Sequence, residues 1–292
     1  MKSAAESKLF STNKTLNVHG RLVDLGRPRV MGIMNVTPDS FYGGSRFNTD
    51  TEILKNAEKM IRDGAMFIDV GGHSTRPGAP EISVQEELSR VVQAIRLISK
   101  NFPDTLISID TFRSAVAAAA VQEGAGLIND VSGGSLDPLM FQTAASLKVP
   151  YILMHMRGTP QTMMQFTAYD NLVKDITDYF HQKIFQIEQL GVADVIIDPG
   201  FGFAKTVQQN FELLRNFDYF RILNKPLLAG LSRKSMIWRT LSISPEEALN
   251  GTSALHAVAL LKGADILRVH DVKEACQVIG LMQELTATEN TR

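Results

Sequence analysis

Asp110, Asn129 and Asp198 each close a short apolar run, in Leu106 to Ile109, Leu127-Ile128 and Val195 to Ile197 respectively. A carboxylate accepts two parallel bonds from an amidine-like N–H/NH2 edge, and an amide both donates and accepts, so the trio suits a polar planar heterocycle. Two carboxylates could equally form a general acid–base pair or stabilise a cation. A second group is cationic: Ser232-Arg233-Lys234 and Arg268-Val269-His270 also follow apolar runs. Arginine supplies a bidentate fork and lysine a point charge, the chemistry of an anion site. Asn35 ends the first apolar run, and its carbonyl oxygen is a hard ligand suited to Mg2+, which binds through few protein groups plus phosphate oxygens and water. Together these residues predict a substrate carrying a phosphate ester or diphosphate.

Elements that alternate along the chain must position them. Apolar runs begin at Arg29, Met66, Leu106, Leu127, Tyr151, Val195, Pro226 and Ile266. Between them lie stretches of helical spacing: Thr49 to Gly64, Ser83 to about Asn101, Ser114 to Glu123, Pro138 to Leu147, Asn171 to Leu190, Gln208 to Asn216, Glu246 to Lys262 and Val272 to Leu285. Ser83 with Glu86 three residues on reads as a capping box, and Gly124, Gly191 and Gly263 stop helices. Alternating strand and helix imply parallel strands with right-handed crossovers. Eight units without a break in composition predict a (β/α)8 TIM barrel. An open doubly wound sheet is the runner-up, but no G-x-G-x-x-G turn follows the first strand. In such a barrel the site lies at the carboxyl ends of the strands, and the ends of strands seven and eight commonly hold an anion. Those ends here carry Asn35, Thr75-Arg76, Asp110, Asn129, His155, Asp198, Ser232-Arg233-Lys234 and Arg268-x-His270. Closure sets strand one beside strand eight, and so Asn35 near the cationic corner. His155 and His256 are expected to be interior packing histidines, and Met154, Met156, Met163 and Met164 to be adaptable packing.

The 292 residues are 44% hydrophobic and 21% charged with a formal net charge of -1, a globular profile long enough for a large core. Near-neutrality gives no electrostatic reason to expect nucleic acid. One cysteine, Cys276, excludes a disulfide framework or thiolate cluster and fits a cytoplasmic setting. No apolar run is long enough to span a bilayer. Residues 1–27 are expected to be a polar leader, 28–285 a single barrel domain and 286–292 a tail.

With these residues laid out, the chain strongly resembles the dihydropteroate synthases. The matching segments are Met31 to Phe41, Gly71 to Ala79, Ile109-Asp110-Thr111, Asn129-Asp130-Val131, Asp198 to Phe203, Ser232 to Ser235 and Arg268-Val269-His270. They stand in family order and cover about residues 28 to 285. The resemblance implies a (β/α)8 barrel that joins 4-aminobenzoate to (7,8-dihydropterin-6-yl)methyl diphosphate, releasing diphosphate and 7,8-dihydropteroate. It further implies that Asp110, Asn129, Asp198 and Lys234 hold the pterin, with Phe203 in the same turn as Asp198. Asn35 would bind Mg2+, Arg268 and His270 the diphosphate, and Ser235 would lie near the 4-aminobenzoate carboxylate. Asp110, Lys234, Arg268 and His270 are the expected catalytic group, while Phe41, Thr75 and Arg76 would belong to loops closing over the substrates. The family also suggests a homodimer through the outer helices. His73 stands where the family usually has Glu, exchanging an anion for a neutral or weakly basic ring. Two other readings are a methyltetrahydrofolate-type pterin methyltransferase, against which the cationic corner argues, and a non-catalytic pterin-binding paralogue, which only His73 encourages.

Overall fold

The structure, a computed structural model, describes residues 14–36, 46–74 and 81–286. Phe41, Thr75, Arg76 and the glycines at 43 and 44 lie outside the described residues. Among the described residues ten strands run in chain order: β1 Thr15–Val18, β2 Arg21–Asp24, β3 Arg29–Asn35, β4 Phe67–Gly71, β5 Leu106–Asp110, β6 Leu127–Asp130, β7 Tyr151–Met154, β8 Val195–Asp198, β9 Leu228–Ala229 and β10 Ile266–Val269. β3 to β10 form one sheet in the order β8-β7-β6-β5-β4-β3-β10-β9. A parallel bridge between Ile197 and Leu227 brings β8 beside β9 and closes the ring. The expected (β/α)8 barrel is the observed fold.

Around it lie α1 Arg46–Arg62, α2 Val84–Asn101, α3 Ser114–Gln122, α4 Met140–Leu147, α5 Leu172–Gln189, α6 Val207–Arg215, α7 Ser235–Leu241, α8 Leu249–Leu261 and α9 Val272–Thr286. Ser83 caps α2 by accepting the Glu86 N–H at 3.1 Å, but the Glu86 carboxylate turns to Arg90 instead of completing the expected box. The reciprocal box occurs at α6 instead, between Thr206 and Gln209. Expected at Pro226 to Leu231, the seventh strand keeps only Leu228–Ala229 in regular pairing. Short α7 was not expected; it begins directly after Lys234 and carries Ser235 as its first residue.

Side chains alternate across each strand, so every second residue faces the lumen. The lowest layer is apolar: Met31, Phe67, Leu127, Ile152, Ile196, Leu228 and Ile266 pack together with Leu16, Val18, Val23 and Leu25. Those last four belong to or adjoin the β1–β2 hairpin, which therefore plugs the amino-terminal end of the barrel. Its turn is made by His19 and Gly20 at φ 51° and 81°, the left-handed pair that matches hairpin twist. The leader expected over residues 1–27 thus contains a structural hairpin; its alternation spans too few residues to stand out from a polar stretch.

Two residues above this floor the lumen turns polar. Asp69 follows Phe67, Ser108 follows Leu106, Asn129 follows Leu127, Asp198 follows Ile196 and Arg268 follows Ile266, and all but Arg268 are buried. The sheet register places Asp69 beside Ser108, and Asp110 beside both Gly71 and Asn129. A floor of apolar side chains under a ring of polar ones makes a pocket that opens at the carboxyl ends of the strands.

Candidate active site

Arg268 is the centre of the ring. Its Nε donates to Asp69 Oδ2 and its Nη2 to Asp110 Oδ2, both at 2.6 Å. Asp69 Oδ2 also accepts Asn129 Nδ2 at 2.9 Å. The sequence alone predicts an anion corner for Arg268 apart from Asp110 and Asn129; the structure ties it to Asp110 directly and to Asn129 through Asp69. Burial works against the Arg268 charge, but Asp69 and Asp110 outweigh it and raise its pKa above the ordinary value. Burial pushes Asp110 up to about 7, against the pull of Arg268 and with the help of Asp69.

Asp198 ends β8, and a tight turn follows. Gly200 and Gly202 hold φ of 75° and 79°, which glycine adopts without strain. Close approach also demands glycine here, since a Cβ on Gly200 would lie 2.1 Å from the His155 carbonyl oxygen and one on Gly202 3.0 Å from Lys234 Cδ. Asp198 Oδ1 accepts the Gly200 N–H at 2.8 Å. Burial raises the Asp198 pKa, opposed by that bond and by Lys234, Arg268 and Lys205. The Lys234 ammonium lies 4.2 Å from the centre of the Phe203 ring, a cation–π contact that holds both at the pocket wall.

Beneath this turn is a lysine that the sequence reading did not single out. Lys205 is 3% exposed, and its Nζ lies 3.0 Å from the Gly200 carbonyl, 2.9 Å from the Phe203 carbonyl and 3.1 Å from His155 Nδ1. Three acceptors match the three N–H bonds of an ammonium. Burial pulls its pKa down to about 7, with Asp198 acting upward and Lys234 and Arg157 downward. His155 is buried and packs edge-on against Tyr179 at 4.9 Å, an interior histidine as expected. His256 is buried too. Met154, Met156 and Met163 belong to a small core with Phe203, whereas Met164 is exposed.

At β10 and the turn after β9, Ser232 Oγ accepts the His270 backbone N–H at 3.2 Å and lies 3.0 Å from its Nδ1. That contact orients the imidazole and leaves Nε2 on its far side. Arg233 points away from the pocket and pairs with Asp271 at 2.8 Å through both Nε and Nη2. Asn35, exposed at the end of β3, shares the space over Gly71 with Asp110. A Cβ placed on Gly71 would lie 3.7 Å from Asn35 Oδ1 and 3.5 Å from Asp110 Oδ2. Among the described residues no three His, Cys, Asp or Glu side chains cluster to hold a metal. An ion resting on one amide oxygen, substrate oxygens and water suits Mg2+ and fits Asn35. His73 is buried with neither ring nitrogen partnered, edge-on to Phe112 at 5.4 Å; burial lowers its pKa and keeps it neutral.

The structure thus brings Asn35, Asp110, Asn129, Asp198, Phe203, Lys234, Arg268 and His270 to one end of the barrel, with Ser235 opening α7 directly after Lys234. Sequence reasoning missed Asp69 and Lys205. Asp69 had a signal: a carboxylate in the middle of an otherwise apolar strand must find a partner. Lys205 had little, because a lysine after a glycine-rich turn is ordinarily solvated.

The family described as "Pterin binding enzyme" matches residues 31–270. The dihydropteroate synthase of Escherichia coli (strain K12) is 43% identical over 280 residues, spanning 95% of this chain and 99% of that protein. That of Synechocystis sp. is 44% identical over 267 residues, 90% of this chain and 92% of the relative. Among solved structures, Yersinia pestis dihydropteroate synthase with a sulfonamide drug complex superposes with a TM-score of 0.88 at 40% identity, covering 94% of this chain and 100% of that one. Xanthomonas albilineans dihydropteroate synthase with 4-aminobenzoic acid superposes with a TM-score of 0.88 at 38% identity, covering 95% and 100%.

Proposed function

The chain belongs to the pterin-binding enzyme family and is a transferase of folate synthesis, and from that premise we propose that it condenses (7,8-dihydropterin-6-yl)methyl diphosphate with 4-aminobenzoate. The observation that carries this reading is the joining of Arg268 to Asp110 and, through Asp69, to Asn129. It sets a cation among the hydrogen-bonding groups that a pterin edge requires.

Asp198, Asn129 and Asp110 offer acceptors to the N–H groups of the pterin, and Lys234 and Phe203 flank its ring. Phe41, Thr75 and Arg76 are assigned to substrate binding on the family resemblance alone, and Ser235 stands near the 4-aminobenzoate carboxylate. Asn35 would hold Mg2+ against the diphosphate; the ion, when bound, neutralises phosphate oxygens and makes diphosphate a better leaving group. Arg268 presents its remaining N–H groups, and His270 its Nε2, to the same oxygens. As the C–O bond to diphosphate breaks, positive charge grows on the methylene carbon, and the Asp110 carboxylate stabilises it. The amine nitrogen of 4-aminobenzoate forms the new C–N bond and gives up a proton; diphosphate leaves. Incubation with the pterin diphosphate, with and without 4-aminobenzoate and Mg2+, should show diphosphate release and pteroate only when all are present. Absence of 4-aminobenzoate-dependent pteroate would sink this function.

Leu241, Val258, Leu261, Leu281 and Leu285 on α7, α8 and α9 are exposed apolar side chains, and they support a homodimer through these outer helices. Light scattering should give about 64 kDa, twice the 32.2 kDa of one chain; half that mass would refute it. No helix among the described residues is long and apolar enough to cross a membrane; the single cysteine supports a cytoplasmic setting.

A further inference from the structure

Asp69 lies in the middle of β4 with no exposed surface, between Phe67 in the barrel floor and Gly71 at the mouth. No substrate can reach it. One oxygen, Oδ2, nevertheless accepts from both Arg268 Nε at 2.6 Å and Asn129 Nδ2 at 2.9 Å.

Each bond removes a freedom that the site would otherwise have. An amide can present either its oxygen or its nitrogen, and giving Nδ2 inward to Asp69 turns Asn129 Oδ1 the other way, as an acceptor. A guanidinium can present any of its edges. With Nε on Asp69 and Nη2 on Asp110, its side edge is occupied and the Nη1 end is left for an anion. Among the described residues Nη1 makes no bond. The other Asp69 oxygen, Oδ1, has no partner, and neither does Ser108 Oγ on the neighbouring strand in register with it.

We infer that Asp69 is a positioning residue for the pterin site, fixing through its Oδ2 the Arg268 edge and the Asn129 amide face that meet the substrate. The inference rests on the function proposed above. It makes a chemical distinction that a merely structural buried acid would not. What matters is an acceptor at the Oδ2 position, not the carboxylate as such. Asn at this position can keep an oxygen there and place its amide nitrogen at the unpartnered Oδ1 position, so Asp69→Asn preserves both bonds. Asp69→Ala removes them.

The test measures binding of the pterin diphosphate by calorimetry alongside steady-state turnover, in wild type, Asp69→Ala and Asp69→Asn. Asp69→Ala should weaken pterin diphosphate binding at least about tenfold while leaving the KM for 4-aminobenzoate within about twofold, the loss of bonds to charged partners. Asp69→Asn should return binding to within about threefold of wild type. Asp69→Ser, whose hydroxyl is too short to reach Arg268, should match Asp69→Ala and serves if the alanine variant does not fold. The inference is overturned if pterin binding survives Asp69→Ala or Asp69→Ser within about twofold, if both substrates lose equally, or if Asp69→Asn is no better than Asp69→Ala. Calorimetry keeps the two readings apart. A wild type that binds pterin diphosphate but makes no pteroate sinks the proposed reaction and leaves the Asp69 result readable.

Discussion

Replacing Lys205 with methionine should flatten the rise in stability that the wild type shows between neutral and alkaline pH. Lys205 is fully buried, and its pKa falls from 10.5 in the unfolded chain to about 7 in the fold. A base whose folded pKa is depressed binds fewer protons folded than unfolded between those two values. Stability therefore increases as pH climbs from about 7 toward 10.5, and the burial penalty is full below 7. Applying the linkage relation between pH 6.5 and pH 9, where the unfolded lysine stays protonated, gives a gain of about 2.5 kcal/mol from this one group. Methionine fills a similar volume without a titrating atom, so the variant should lack that gain. The burial shift on Asp110, which does not involve Lys205, is common to both proteins and cancels in the difference. The assay is urea unfolding of wild type and Lys205→Met at both pH values. The wild type should gain on the variant by about 2–3 kcal/mol on going to pH 9. Parallel pH profiles would refute the reasoning, and would mean that the ammonium, satisfied by Gly200, Phe203 and His155, keeps its ordinary proton affinity.

Asp198→Asn should weaken pterin binding by about 2 kcal/mol, roughly thirtyfold, because the amide cannot accept both bonds from an amidine-like edge; unchanged affinity in calorimetry would refute that assignment. Arg268→Ala leaves Asp69 and Asp110 without their shared cation and should lower unfolding stability by about 3–5 kcal/mol. The same variant should lose more affinity for the pterin diphosphate than for a pterin lacking the diphosphate, and equal losses in the binding assay would remove Arg268 from the anion site. Gly200→Ala places a methyl group 2.1 Å from the His155 carbonyl oxygen at a φ of 75°. It should displace the turn at a cost of about 3 kcal/mol or more, read as a drop in Tm together with loss of pterin affinity; a wild-type Tm would refute the close packing of Gly200 on the His155 carbonyl.

The fold was legible because its signals are local and repeated. Apolar runs and helical spacings alternate along the chain, and the glycines at 124, 191 and 263 stop helices where the pattern says they should. The hairpin that plugs the barrel was not legible: Leu16, Val18, Val23 and Leu25 are too few to mark a core element until the lumen they fill is known. Most site residues could be named in advance because parallel strands deliver their carboxyl ends to one mouth, so polarity at the end of each run carries the information.

What the sequence determined by itself is which residue types arrive at that mouth, and in what order around the ring. Which of them touch is decided only by the closed barrel. Arg268 and Asp69 are 199 residues apart and yet share a 2.6 Å bond. The pairing follows from strand shear, lumen width and side-chain reach, none of which is written in any local stretch. The same holds for Lys205 and His155, 50 residues apart at 3.1 Å. A buried charge must be paired, and the fold alone decides with what.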